Sequence, residues 1–255
     1  TCRNAVQKTM TDSYTHIDLP ARDPLGDLRS KMAASGTLRA FVVETLKGDN
    51  REHLLAFLKE RDPRFRLAFC YRPESPGAAK QFMTDPWVAA LRINTAQLEE
   101  DTAWLAGLEA SAKYLLIHAE SGIARLVRNA RAAVAAHPRL RIYVPHLGWP
   151  RHDGKDDPAW RDSVRALHAI PTAIIGISSL LTFSRQPFPH PDVHPFAQEL
   201  IRLFGPERLV AGSDFPFIEK ARYGEYVAVA HRWIRDIWPQ WVDYAGVFGK
   251  KPPVP

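Results

Sequence analysis

The chain has 255 residues, 45% of them hydrophobic and 24% charged, and two are cysteines. A chain of that length buries roughly three quarters of its unfolded surface, so it needs no disulfide or metal staple to fold, and wholesale disorder is excluded. Lys and Arg outnumber Asp and Glu by 34 to 28, a formal charge of +6. The basic residues are scattered, with no run and no aromatic-basic module, so no nucleic acid partner is expected. No apolar stretch approaches the ~18 to 20 residues of a membrane span, and no basic segment leads into an apolar run at the N-terminus. With Cys2 and Cys70 reading as free thiols of a reducing compartment, the chain is expected to be soluble and cytoplasmic, with no membrane partner.

Eight short apolar or β-branched runs recur along the chain, at residues 13–19, 40–44, 66–71, 88–94, 114–118, 141–146, 172–178 and 209–214. Each is followed by a stretch with helical spacing, such as 49–60 with Leu54, Leu55 and Leu58, or the Ala-, Arg- and Leu-rich 123–136. The interval is close to the ~30 residues of one strand and its crossover helix, and the total fits the ~250 residues of an eight-fold barrel. The predicted class is therefore α/β, a (β/α)8 TIM barrel forming a single domain over 1–255, with 1–11 and 250–255 as terminal extensions. Pro- and Gly-rich loops at 148–154 and 186–195 are candidate active-site loops.

Residues at the C-terminal ends of barrel strands converge on one mouth, where such folds carry their chemistry. His16 lies in the first run, His118 closes the fifth, His146 the sixth and Asp214 the eighth. Any one of them alone reads more readily as a satisfied structural group. Four at strand ends point to a catalytic centre. Arg92 in the fourth run has a guanidinium suited to clamping a carboxylate through two parallel hydrogen bonds, or to pairing with a neighbouring acid. Asn94, Tyr71, Arg72, Ser178, Ser179, Arg185 and Arg222 are further candidates near the same mouth.

The segments Asp12-Ser13-Tyr14-Thr15-His16-Ile17, His118-Ala119-Glu120, His146-Leu147-Gly148-Trp149-Pro150 and Gly205-Pro206-Glu207-Arg208-Leu209 through Gly212-Ser213-Asp214-Phe215-Pro216 resemble the amidohydrolase superfamily. The closest branch is the amidohydrolase 2 group of lactonases and non-oxidative decarboxylases, and the match runs from Asp12 to about Trp233. His-Leu-Gly-x-Pro, and the likeness of Ala90-Leu91-Arg92-Ile93-Asn94 to that group's Gly-x-Arg-x-Asn strand, favour the lactonase side. The resemblance implies a hydrolase opening a small, carboxylate-bearing lactone. Asp214 would be the general base, and His16, His118 and His146 would polarise the carbonyl. Arg92, Asn94, Tyr71 and Ser178 would bind the substrate.

One position departs from the pattern. The family's first strand normally ends in His-x-His, both imidazoles binding a divalent metal, whereas Tyr14 stands where the first His belongs. A neutral phenol is a poor zinc ligand beside imidazole. His16, His118 and Asp214 remain as a possible ligand set for one Zn or Mn ion, or the enzyme requires no cofactor and Tyr14 donates its hydroxyl in place of the lost ligand. A metal-dependent decarboxylase and a catalytically inactive barrel that binds small anions stand as alternatives. Trp233, Trp238 and Trp241 offer apolar surface either to a homodimer or to the packing of the last helix.

Overall fold

The computed structural model describes residues 10–100, 102–151 and 157–242. Eight strands form one sheet in sequential order: β1 (Met10–Thr15), β2 (Thr37–Val43), β3 (Phe65–Cys70), β4 (Val88–Asn94), β5 (Tyr114–His118), β6 (Arg141–Val144), β7 (Ala173–Ile177) and β8 (Leu209–Ala211). All seven ladders between neighbours are parallel. The helices are α1 (Pro24–Ser35), α2 (Arg51–Glu60), α3 (Pro76–Thr84), α4 (Leu105–Ala110), α5 (Ile123–Ala136), α6 (Pro158–His168), α7 (Leu180–Phe183), α8 (His194–Phe204) and α9 (Tyr223–Ile237). This alternation is the nearly closed (β/α)8 barrel expected from the strand-helix period. No helix among the described residues is long and apolar enough to cross a membrane.

Local chemistry explains where the helices start and which face they bury. Asp23 accepts a hydrogen bond from the Gly26 N–H at 3.0 Å with Pro24 in the first helical position, and Asp157 accepts one from Trp160 N–H at 3.0 Å with Pro158 after it. Both are N-cap carboxylates placed where orphan backbone donors collect. In α8 the buried residues Ala197, Leu200, Ile201 and Phe204 repeat at helical spacing, and so do Trp160, Val164 and Leu167 in α6. Those stripes pack on the outside of the sheet. Trp233 and Trp241 are buried in the same core, which leaves Trp238 as the exposed member of the trio.

Inside the barrel a second apolar cluster gathers Tyr14, Phe41, Val43, Ala68, Ala90, Tyr114, Leu116, Tyr143, Ile174 and Val210. Side chains alternate across a strand, so this set marks the inward register. His118 follows Tyr114 and Leu116 in that register, Arg92 follows Ala90, and His16 follows Asp12 and Tyr14 just beyond the end of β1.

Strands β4 and β5 and helix α5 occupy their expected residues. β1 begins earlier than expected, so Met10 and Thr11 belong to the barrel and not to a terminal extension. β6 stops at Val144, where Pro145 has no N–H to continue the ladder. β8 is only three residues long because the chain turns away before Asp214. Residues 250–255, Cys2 and part of the 148–154 loop lie outside the described residues.

The junction of β1 with the end of β8 closes the barrel. Asp214 N–H donates to Tyr14 O at 3.0 Å and His16 N–H to Phe215 O at 2.7 Å. The buried Asp12 carboxylate accepts from Ser213 N–H at 2.8 Å and from Ser213 Oγ at 2.6 Å. Such close approach requires Gly212, because a Cβ there would lie 2.7 Å from Tyr14 N and 3.0 Å from Tyr14 O. Gly212→Ala is accordingly expected to destabilise the protein by about 1–3 kcal/mol, the usual range for overpacking. An unchanged urea midpoint would contradict this account of closure.

Candidate active site

Each prospective site residue is delivered by a strand end. His118 is the last residue of β5 and pairs across the ladder with Asn94. His146 follows Pro145 after β6, Ser178 and Ser179 follow β7, and Asp214 follows β8. His16, His118, His146, Arg92, Asp214 and Tyr14 are all buried.

Asp214 is the centre of the cluster. Its Oδ1 lies 3.7 Å from His16 Nε2 and 3.8 Å from His146 Nε2, and its Oδ2 accepts a hydrogen bond from Ser179 Oγ at 2.7 Å. Burial pushes the carboxyl from its usual 3.8 up to about 7, against the opposing pull of Ser179 and Arg92. Burial drives the imidazoles the other way. His16 and His118 fall to about 3, with the Arg92 cation adding to the effect, and His146 is also held well below its usual 6.5. At neutral pH the three imidazoles are uncharged.

Their tautomers follow from their partners. His16 Nδ1 is 2.6 Å from Val43 O, a carbonyl that only accepts, so the ring proton sits on Nδ1 and the Nε2 lone pair faces Asp214. Ser178 Oγ accepts the His146 backbone N–H at 3.1 Å and lies 3.0 Å from its Nδ1. Ser178, expected at the substrate, thus orients an imidazole, while its neighbour Ser179 reaches the carboxylate. His118 has its Nδ1 3.5 Å from Glu120 Oε2 without forming a hydrogen bond to it.

The backbone here is unusual. His146, Leu147, Gly148 and Trp149 all have φ between 57° and 67°, Ser179 has φ 59° and Asp214 φ 66°. Left-handed backbone is costly for residues with a side chain and persists where surrounding bonds over-determine it. Trp160 Nε1–H, for example, holds Leu147 O at 2.8 Å. The turn lays the Trp149 ring edge-on to His118, centroids 4.6 Å apart, and Phe217 lies edge-on to His16 at 5.5 Å.

Arg92 is buried with one guanidinium nitrogen on Glu44 O and its Nε without a partner. Glu44, which sequence reasoning did not single out, is a fully buried carboxylate holding Arg51 and Arg72 at 3.0 Å each and the Cys70 N–H at 2.8 Å. Its place immediately after an apolar strand was the available signal. Asp12 was quoted for its motif alone, although its inward register marked it as a buried acid. Asn94 and Gln97 bond each other's backbone N–H groups across a tight turn, and the Tyr71 ring stacks on Trp104 at 4.0 Å.

A divalent metal needs ligands converging on one point. Among the described residues no three His, Cys, Asp or Glu side chains do so, the expected trio His16, His118 and Asp214 included. Tyr14 interrupts the shell with its ring edge-on to His146, centroids 4.4 Å apart, and to His16 at 5.3 Å. The residues present do not fit a resident metal.

Comparison with known proteins agrees with the barrel fold. An L-fucono-1,5-lactonase of Burkholderia ambifaria is 27% identical over 216 residues, spanning 79% of this chain and 73% of its own. Among solved structures, a Pseudomonas putida protein provisionally named 2-pyrone-4,6-dicarboxylic acid hydrolase superposes with a TM-score of 0.69 at 20% identity, over 89% of this chain and 93% of its own. An amidohydrolase from Burkholderia multivorans with bound zinc gives 0.65 at 20% identity, over 93% and 94%. The amidohydrolase family model matches residues 7–234. With that match spanning most of the chain, and with its imidazoles and Asp214 at barrel strand ends, the protein belongs to the amidohydrolase family.

Proposed function

We propose that the protein is a lactonase that opens a small carboxylate-bearing lactone, with Asp214 as general base. The observation that carries the reading is a single buried carboxylate, tuned to about 7, facing two neutral imidazoles. A base is most effective when its pKa lies near the working pH. The similarity to a lactonase over most of both chains supports the same reaction class.

Asp214 removes a proton from water as the oxygen adds to the lactone carbonyl. The carbonyl π pair moves onto its oxygen, then returns as the ring C–O bond breaks, and the leaving oxygen takes the proton that Asp214 carried. His16 contributes as an acceptor: its Nδ1 proton is engaged by Val43 O, so Nε2 orients the attacking water beside Asp214. This differs from the carbonyl-polarising role expected for His16. His146 and His118 belong to the same buried cluster in neutral form. The free Nε–H of Arg92 and its uncompensated charge draw the substrate carboxylate. The decarboxylase alternative calls for a metal shell that Tyr14 interrupts.

Asp214→Asn is expected to lower kcat by about 10²–10⁴-fold, the contribution of a positioned base, while leaving substrate affinity in titration calorimetry within a few-fold. Full activity in that variant would sink the assignment. The base works only when ionised, so kcat/KM should fall as pH drops through about 7, roughly tenfold per pH unit below it. His16 and His118, at about 3, add no inflection above pH 4. Ser179→Ala removes a hydrogen bond that holds the Asp214 pKa down, so its kcat/KM limb should move to higher pH. A limb that stays in place would exclude direct coupling between Ser179 and the base.

A further inference from the structure

Tyr14 belongs to the cluster, yet its one polar group is unused. Its side chain is fully buried, and its hydroxyl has no hydrogen-bond partner. Leaving a buried hydroxyl unpaired costs about 1–3 kcal/mol, so a purely structural position here would favour Phe. The neighbouring Tyr143, in the same interior cluster, shows the ordinary alternative, donating its hydroxyl to Ser13 O at 2.9 Å. Tyr14 instead shares the inward register of His16, lies edge-on to His16 and His146, and has the Arg92 guanidinium 6.0 Å from its ring centroid. Arg92 Nε is also buried without a hydrogen-bond partner, and His118 Nδ1 has only Glu120 Oε2 beside it, at 3.5 Å. The Tyr14 hydroxyl and the Arg92 Nε–H are two orphaned donors in one dry cluster, suited to a ligand that brings acceptor atoms.

We propose that Tyr14 takes the place of a metal in this protein, donating its hydroxyl to the lactone carbonyl oxygen as that oxygen becomes an oxyanion, and that the same side chain closes the site to divalent cations. The assignment of the oxyanion rests on the lactonase reading. Tyr14 transfers no proton. Its O–H donates a hydrogen bond while the π pair resides on the carbonyl oxygen, and the pair returns when the ring C–O bond breaks. The proton of the attacking water travels through Asp214 to the leaving oxygen. Burial holds the phenol above its usual range, so it stays a donor throughout the working pH. A fixed donor in a water-excluded site stabilises developing charge without reorganising.

The test compares wild type with Tyr14→Phe and Tyr14→His on a panel of carboxylate-bearing lactones, alongside equilibrium dialysis against zinc read by atomic absorption. Wild type should keep its kcat after chelation and take up no zinc. Tyr14→Phe should lose about 10²–10³-fold in kcat with little change in KM, the cost of one oxyanion donor, and should melt at the same or a higher temperature because an unpaired hydroxyl is gone. Tyr14→His, which restores His-x-His, should bind zinc stoichiometrically. Undiminished kcat in Tyr14→Phe, or a melting temperature that falls in step with its activity, would overturn the catalytic role. Stoichiometric zinc on dialysed wild type would overturn the exclusion of metal. If wild type opens no lactone, the lactonase reading and the oxyanion role fail together, while zinc-free wild type beside zinc-loaded Tyr14→His still upholds the exclusion.

Discussion

Closure between β1 and the end of β8 is the constraint on which the site depends. β8 contributes three residues to the sheet, too few for a full ladder back to β1, so the joint is made by the residues that follow it. Asp214 N–H bonds Tyr14 O, and His16 N–H bonds Phe215 O. The backbone bonds that close the barrel are thus those that set a carboxylate opposite an imidazole. Asp12 fastens the same joint from below, and burial raises its pKa to about 6 despite two hydrogen bonds from Ser213. A charged acid would be costly there without those donors.

The dryness of the barrel mouth acts on acid and base in opposite directions and brings both toward neutrality. Asp214 rises and the imidazoles fall for one reason, the cost of placing a charge where water is excluded. The field of the Arg92 guanidinium is among the causes at every one of these groups. Its anchor is a carbonyl, not a carboxylate, because the nearby Glu44 is already held by Arg51 and Arg72. The consequence is a buried cluster in which one guanidinium stands beside a carboxyl raised toward neutrality and three uncharged imidazoles.

Geometry at the mouth is held against backbone preference. Left-handed conformations at His146, Leu147, Trp149, Ser179 and Asp214 bring an imidazole-bearing, a serine-bearing and a carboxylate-bearing turn together, and each is secured by bonds from elsewhere in the fold. The indole of Trp160 reaching Leu147 O from α6 is one such brace. Local propensity would not choose these conformations. Tertiary contacts do.

The alternation of apolar runs and helical stretches was enough to count eight strands and to place β4, β5 and α5 residue for residue, because period and propensity are local properties of the chain. Placement at strand ends likewise pointed to His16, His118, His146 and Asp214, whereas the inward register of Asp12 and Tyr14 was read only from the folded barrel. The ends of β1, β6 and β8 were less legible, since they depart from the ladder exactly where Pro145 and the left-handed Asp214 turn away from it. Which serine serves which partner was decided by tertiary structure alone: Ser178 orients His146 and Ser179 reaches Asp214, and two adjacent residues of one type carry no local signal of that division. The burial that tunes Asp214, the orphaned hydroxyl of Tyr14 and the engagement of Glu44 by two arginines are also products of assembly. They arise from groups far apart in the chain that meet only when the barrel closes, and desolvation and hydrogen bonding depend on those neighbours, not on sequence order.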